Sequence, residues 1–173
     1  MNVAIIGCGL IGHKRARALG PEHRVIACAD TDVVRARALA DTLSRCEPSD
    51  DPSSAISASS VEAVFVCTSN DALAPVALRA IECGKHVLIE KPAARSAAEL
   101  RSVVAELARH PGLVAKVGYN HRFHPGLARA YAIVQNILRC IKDIILVPLD
   151  IHMDQIDEAL RKKLAQRVAL YLF

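Results

Sequence analysis

The 173-residue sequence predicts an α/β protein built on a doubly wound parallel sheet. Three observations carry this. Short apolar runs alternate with longer amphipathic ones, the pattern of strand–helix–strand units joined by right-handed crossovers. A stretch of the form G-x-G-x-x-G stands between the first apolar run and the first helical one. The composition, 52% hydrophobic and 23% charged, is that of one packed domain.

Taken in order, Asn2–Gly7 (NVAIIG) is a buried strand, since a continuous apolar run of that length lacks the period of an exposed helix. His13–Leu19 is rich in the helix formers Ala, Arg and Leu. Arg24–Ala29 is the second strand, and Asp32–Arg45 follows as a helix with Val33, Ala36, Ala40 and Leu43 on one face. Glu47–Ser60 holds two Pro, six Ser and two Asp, and is expected as a surface loop with one short helical turn around Ala55. Val61–Cys67 makes the third strand. In the next helix, Pro75 suits the first turn and Gly84 the C-terminal cap. His86–Ile89 is the fourth strand. Ser96 to Glu99 form a capping box that opens a helix with Leu100, Val103, Val104 and Leu107 on its buried face. Pro111 and Gly112 stop it, and Leu113–Val117 is the fifth strand.

Several function classes fall away on composition. No apolar stretch approaches the roughly 18 residues of a membrane-spanning helix, so no membrane partner is expected. The net charge of +4 is spread along the chain beside only 3% aromatics, which gives neither a nucleic-acid stripe nor a base-stacking platform. The first strand begins at Asn2, leaving no room ahead of it for a signal peptide. Six cysteines contain no C-x-x-C pair, and three lie in or beside apolar runs. They are expected as free thiols in a cytoplasmic, reducing compartment. His121 and His124 lack a third ligand at metal-site spacing, so no metal is expected.

Gly7-Cys8-Gly9-Leu10-Ile11-Gly12 carries the chemistry most directly. In such a loop the first Gly makes a tight turn, the second admits a pyrophosphate to the backbone, and the third lets helix pack on strand. The helix N-terminus then offers unpaired N–H groups and a positive dipole end to the phosphates. Asp30 stands after the second strand, where a carboxylate accepts from an adenosine ribose. That favours NAD, with NADP kept open by Arg35 and Arg37; the other reading of Asp30 is a cap on the next helix. Cys67-Thr68-Ser69-Asn70-Asp71 follows the third strand and is either a wall of the cofactor cleft or plain turn chemistry. Glu90-Lys91-Pro92 ends the fourth strand on the same sheet edge. In a cleft this lysine would hold a substrate hydroxyl; elsewhere the tripeptide is an ordinary surface turn.

AIIGCGLIG (4–12), CADTD (28–32), VFVCTSNDALAPVALRAIECGKHVLIEKP (64–92) and VGYNHRFHP (117–125) together resemble the Gfo/Idh/MocA family of NAD(P)-dependent oxidoreductases, over roughly residues 1–134. The resemblance implies a Rossmann-type domain at 1–134. It also implies hydride transfer between a nicotinamide cofactor and a sugar or cyclitol hydroxyl or ketone. The catalytic or substrate-positioning lysine falls on Lys91. The cofactor contacts fall on Gly7, Gly9, Leu10, Ile11, Gly12, Asp30, Thr68, Asn70, Glu90 and Lys91. Tyr119, Asn120 and Arg122 fall near the same pocket, Asn120 and Arg122 as further cofactor contacts.

Family members continue into a second α/β domain, which this sequence does not follow. Residues 135–173 read instead as an atypical tail, with a strand at Ile144–Val147 and a helix at Asp154–Leu172. Asp150 and His152 are two apart where the family's pair is four apart, so no catalytic role passes to them. The tail either covers an exposed edge, forms a homo-oligomer contact, or marks a truncated gene. The alternative function is accordingly a non-catalytic dinucleotide-binding module or an inactive remnant.

Overall fold

A computed structural model describes residues 1–146. Its first compact unit, Met1–Gly118, holds six strands: β1 (Asn2–Ile6), β2 (Arg24–Ala29), β3 (Glu47–Ser49), β4 (Ala63–Val66), β5 (His86–Ile89) and β6 (Ala115–Val117). They pair in parallel in the order β3-β2-β1-β4-β5-β6. The order runs outward in both directions from β1 and β4, which makes their junction the topological switch point of a doubly wound sheet. The helices of this unit are α1 (Leu10–Ala18), α2 (Val33–Ala40), α3 (Pro52–Ser57), α4 (Asn70–Glu82) and α5 (Ala97–Ala108).

Strand alternation divides the core between the two faces. Val3, Ile5, Val25 and Cys28 pack with Ala36 and Leu39 of α2 on one face. Ala4, Ile6, Val64, Val66, Val87 and Ile89 pack on the other with α3, α4 and α5, through Ile56, Leu73, Ile81 and Val103. Buried Lys85 reaches across the second layer, its Nζ donating to the carbonyls of Ala58 (2.9 Å) and Val61 (2.7 Å) and so tying the approach to β4 against β5. Cys8, Cys28, Cys46, Cys67 and Cys83 are free thiols.

The structure corrects several boundaries. The Glu47–Ser60 loop contains the expected helical turn around Ala55 and, beyond expectation, an edge strand. Pro48 lacks an N–H, which only an edge strand tolerates, and Asp51 caps α3 by accepting from the amides of Ser53 and Ser54. Helix α1 begins at Leu10 rather than His13, so Gly12 lies inside it. Helix α2 stops at Ala40 because the Thr42 hydroxyl and amide both bond to the Leu39 carbonyl, tightening the chain into a turn. Pro75 sits in the second turn of α4, where it removes the ladder bond to the Asp71 carbonyl. Gly84 follows α4 with φ of +73°, as a C-terminal cap requires. Val104 points outward from α5 at 58% exposure, while Val103 is buried.

The second unit begins at Tyr119 with a short 3-10 helix, Asn120–Phe123, and a 22-residue helix α6 (Pro125–Leu146). Residues 144–146, expected as the start of a strand, are therefore helical. Isolated, the Ile-Ile-Leu run has strand character, but nothing between Gly126 and Leu146 breaks a helix that Pro125 has opened. Val147 and the expected helix Asp154–Leu172 lie outside the described residues.

Candidate dinucleotide site

The carboxyl ends of β1, β2, β4 and β5 bring the expected loops of the first unit to one edge of the sheet. Gly7 leaves β1 with φ of +94°, its amide donating to the Ala29 carbonyl at 2.8 Å. A Cβ there would lie 2.5 Å from the carbonyl carbon and oxygen of Cys67 and 2.8 Å from the Thr68 amide. Gly7 is thus glycine for two reasons, its backbone region and the loop pressed against it. Gly12 is buried, and a Cβ on it would run into the Gly7 carbonyl and meet Ile5 Cγ2 at 3.3 Å.

Gly9 differs. It is the N-cap of α1 with φ of −76°, a value open to any residue, and nothing lies within 4 Å of where its Cβ would stand. The fold itself makes no demand for glycine here. No side chain caps the helix, so the first amides of α1, from Leu10 onward, have no side-chain acceptor and face outward with the positive end of the dipole. Leu10 and Ile11 in this turn are exposed.

Asp30, just past β2, bridges this loop to its own turn. Its Oδ2 accepts from the Cys8 amide at 2.8 Å and its Oδ1 from the Asp32 amide at 3.0 Å. Helix α2 is capped by Asp32, whose side chain accepts from the Val34 amide, so that role does not fall to Asp30. An ionised carboxylate has about four acceptor positions, and two remain. Past β4, the Thr68 hydroxyl donates to the Ser69 carbonyl at 3.3 Å, and exposed Asn70 opens α4. The Ser69 hydroxyl and backbone amides hold the Asp71 carboxyl below the usual range.

At the end of β5, the Glu90 amide bonds to the Val66 carbonyl and the Ala93 amide returns to the Glu90 carbonyl, both at 2.9 Å. Lys91 is exposed within this turn. The Glu90 carboxylate is buried against the guanidinium of Arg15 from α1, whose Nε donates to Oε1 at 2.5 Å and whose Nη2 also contacts Oε1. Burial, with Glu90 nearby, pushes the Cys67 thiol up to about 12. It is therefore neutral at neutral pH. Among the described residues, no group of His, Cys, Asp or Glu is arranged to hold a metal ion. No described helix is long and apolar enough to cross a membrane.

The sequence model of an oxidoreductase family with an NAD-binding Rossmann fold, Gfo/Idh/MocA, matches residues 1–119. The chain belongs to the Gfo/Idh/MocA oxidoreductase family. An inositol 2-dehydrogenase of Saccharopolyspora erythraea is 37% identical over 135 residues, which cover 74% of this chain and 39% of that protein. Myo-inositol dehydrogenase from Lactobacillus casei, solved with NAD(H) and myo-inositol, shares the fold at a TM-score of 0.72 and 23% identity, over 79% of this chain and 41% of the other. A 3-ketoreductase from Actinomadura kijaniata, solved with NADP and TDP-benzene, superimposes at a TM-score of 0.71 and 26% identity, over 79% and 42%. The chain thus spans about 40% of the length of the relatives it matches.

In this Gfo/Idh/MocA chain the structure joins Gly7 to Thr68, Asp30 to the glycine-rich loop, and Glu90 to α1. Tyr119, Asn120 and Arg122 belong to the second compact unit; Tyr119 and Asn120 are exposed. Sequence reasoning passed over Arg15. Its signal was helical phase: Arg15 lies three residues after buried Gly12 and so shares its inward face.

Proposed function

We propose that residues 1–118 bind NAD(H) and form the cofactor half of an oxidoreductase acting on a sugar or cyclitol hydroxyl. Gly9 carries this reading. A glycine that its own fold does not require, at the uncapped start of a helix, leaves room for a group outside the protein. The pyrophosphate fits that group, meeting backbone amides and the positive helix end without a side chain between. The two open acceptor positions on Asp30 suit a ribose diol. A 2′-phosphate at 4 Å from that carboxylate would meet repulsion of about 4 kcal/mol at an effective dielectric near 20, so NADH is preferred over NADPH.

When bound, the nicotinamide supplies hydride acceptance or donation. The chain's own residues do the rest. The Gly7–Gly12 loop and Asp30 orient one half of the cofactor across the switch point, and the turns after β4 and β5 face the other half. Lys91, exposed at the end of β5, binds the substrate oxygen with a charge-assisted hydrogen bond that polarises the C–O bond. The relatives' inositol substrates make a cyclic polyol the substrate class to test.

The deciding experiment is NADH fluorescence titration of the parent and Gly9→Val. Because the introduced isopropyl group would enter open space at an ordinary φ, the variant should keep its melting temperature within a few degrees while NADH affinity falls at least about tenfold. Equal affinities would remove the pyrophosphate from this loop.

A further inference from the structure

The Arg15–Glu90 pair is a buried charge pair that cofactor binding by the glycine loop does not by itself explain. Its side chains are only 16% and 10% exposed, and its partners are 75 residues apart in sequence. A third segment closes on it. Buried Gly118, whose amide bonds to the Ile89 carbonyl at 2.8 Å, lies against the pair: a Cβ on it would stand 2.6 Å from Arg15 Nη2 and 3.1 Å from Glu90 Oε1, so the side chains of the pair would have to shift to admit one. The knot therefore fastens the helix that follows the glycine loop to the turn that carries Lys91. A buried ion pair contributes little net stability compared with well-packed apolar residues, so stability alone does not account for this arrangement. A planar guanidinium does fix direction. A cofactor laid across the switch point, with its adenosine half by Asp30 on the β2 side, must place its other half over β4 and β5. The turn held by the knot stands there.

We propose that Arg15 is a positioning residue: through Glu90 it sets the Glu90–Lys91–Pro92 turn against α1 and thereby secures the nicotinamide end of the cofactor. This rests on the reading that the chain binds NAD(H) with Lys91 at that end.

The test compares NADH with ADP-ribose, which lacks the nicotinamide, on the full 173-residue chain. The variants are Arg15→Lys and the double variant Arg15→Met/Glu90→Leu, which removes both charges of the pair. The double variant should stay folded and keep its ADP-ribose affinity within about twofold. Its NADH affinity should fall about tenfold or more, to the level of ADP-ribose. Arg15→Lys, which keeps the charge without the fork, should recover part of the loss. A folded double variant that binds NADH as the parent does would overturn the proposal, as would one that unfolds, since the pair would then serve the fold alone. A parent that binds NADH no better than ADP-ribose would also overturn it while leaving cofactor binding intact. A parent that binds neither would remove both readings.

Discussion

The three glycines of the first loop are glycine for different reasons, and substitution separates them. Gly7 has a positive φ and backbone at 2.5 Å, so Gly7→Ala should destabilise the chain by about 2 kcal/mol or more, measured as a fall in the urea midpoint. Gly9→Val should leave that midpoint nearly unchanged and act on binding. At Asp30, replacement by Ala removes the acceptor of the Cys8 amide together with the charge. Asp30→Ala should weaken NADH binding and narrow the preference over NADPH; a parent preferring NADPH in the same titration would assign selection to Arg35 or Arg37. Cys67 gives a pH dependence of known sign. Its thiol is raised from 9.0 to about 12, so the folded chain keeps a proton that the unfolded chain releases. That contribution is complete below pH 9 and is lost as pH rises toward 12, at about 1.4 kcal/mol per pH unit. Urea midpoints at about pH 8 and about pH 10.5 should therefore drop less in Cys67→Ala than in the parent. The glycine loop was legible because its spacing encodes backbone demands that few other residues meet. Arg15 was not singled out, because Lys14, Arg15 and Arg17 have similar chemistry and only the helix's orientation turns one of them inward.

At the scale of elements, legibility followed burial. Strands β1, β2, β4 and β5 are interior to the sheet, and their apolar runs announce them. Strand β3 is Glu-Pro-Ser at the edge, held by backbone pairing to β2, and no side-chain pattern marks such a strand. Helix α3 beside it is six residues long and depends on its cap. Asp51 accepts from two amides, and the helix places Ala55 and Ile56 in the core. Asp51→Ala should cost about 1 kcal/mol, read as a melting temperature lower by a few degrees. No change would mean that packing of Ile56 alone holds the turn. Helix α6 shows the opposite failure. Its Ile-rich end suggests a strand over a few residues, but helix growth is cooperative and follows the longer uninterrupted segment.

For the molecule as a whole, the matched region and the chemistry of the groups at the sheet edge set the expectation of cofactor binding without rapid turnover by this polypeptide. The chain aligns with 39% of the Saccharopolyspora erythraea inositol 2-dehydrogenase, and the matched family region is the NAD-binding fold. On the proposed reading, the groups assembled at the sheet edge of the first unit are binding groups: backbone amides of the glycine loop, Asp30, and the turns after β4 and β5. Lys91 is a cation suited to hold an oxygen, but hydride transfer from an alcohol also requires a base to take the hydroxyl proton. Glu90, the nearest carboxylate in sequence, is already committed to Arg15. General base assistance contributes about 10²–10⁴-fold, and correct substrate orientation contributes further. A substrate oxygen held by exposed Lys91, as proposed, would also compete with water. The 173-residue chain should therefore bind NADH yet form it from NAD and inositols, glucose or sugar acids very slowly. Absorbance at the nicotinamide band over that panel, with Lys91→Ala as control, checks the expectation. Rapid NADH formation that disappears in Lys91→Ala would contradict it and show that this chain assembles a complete site.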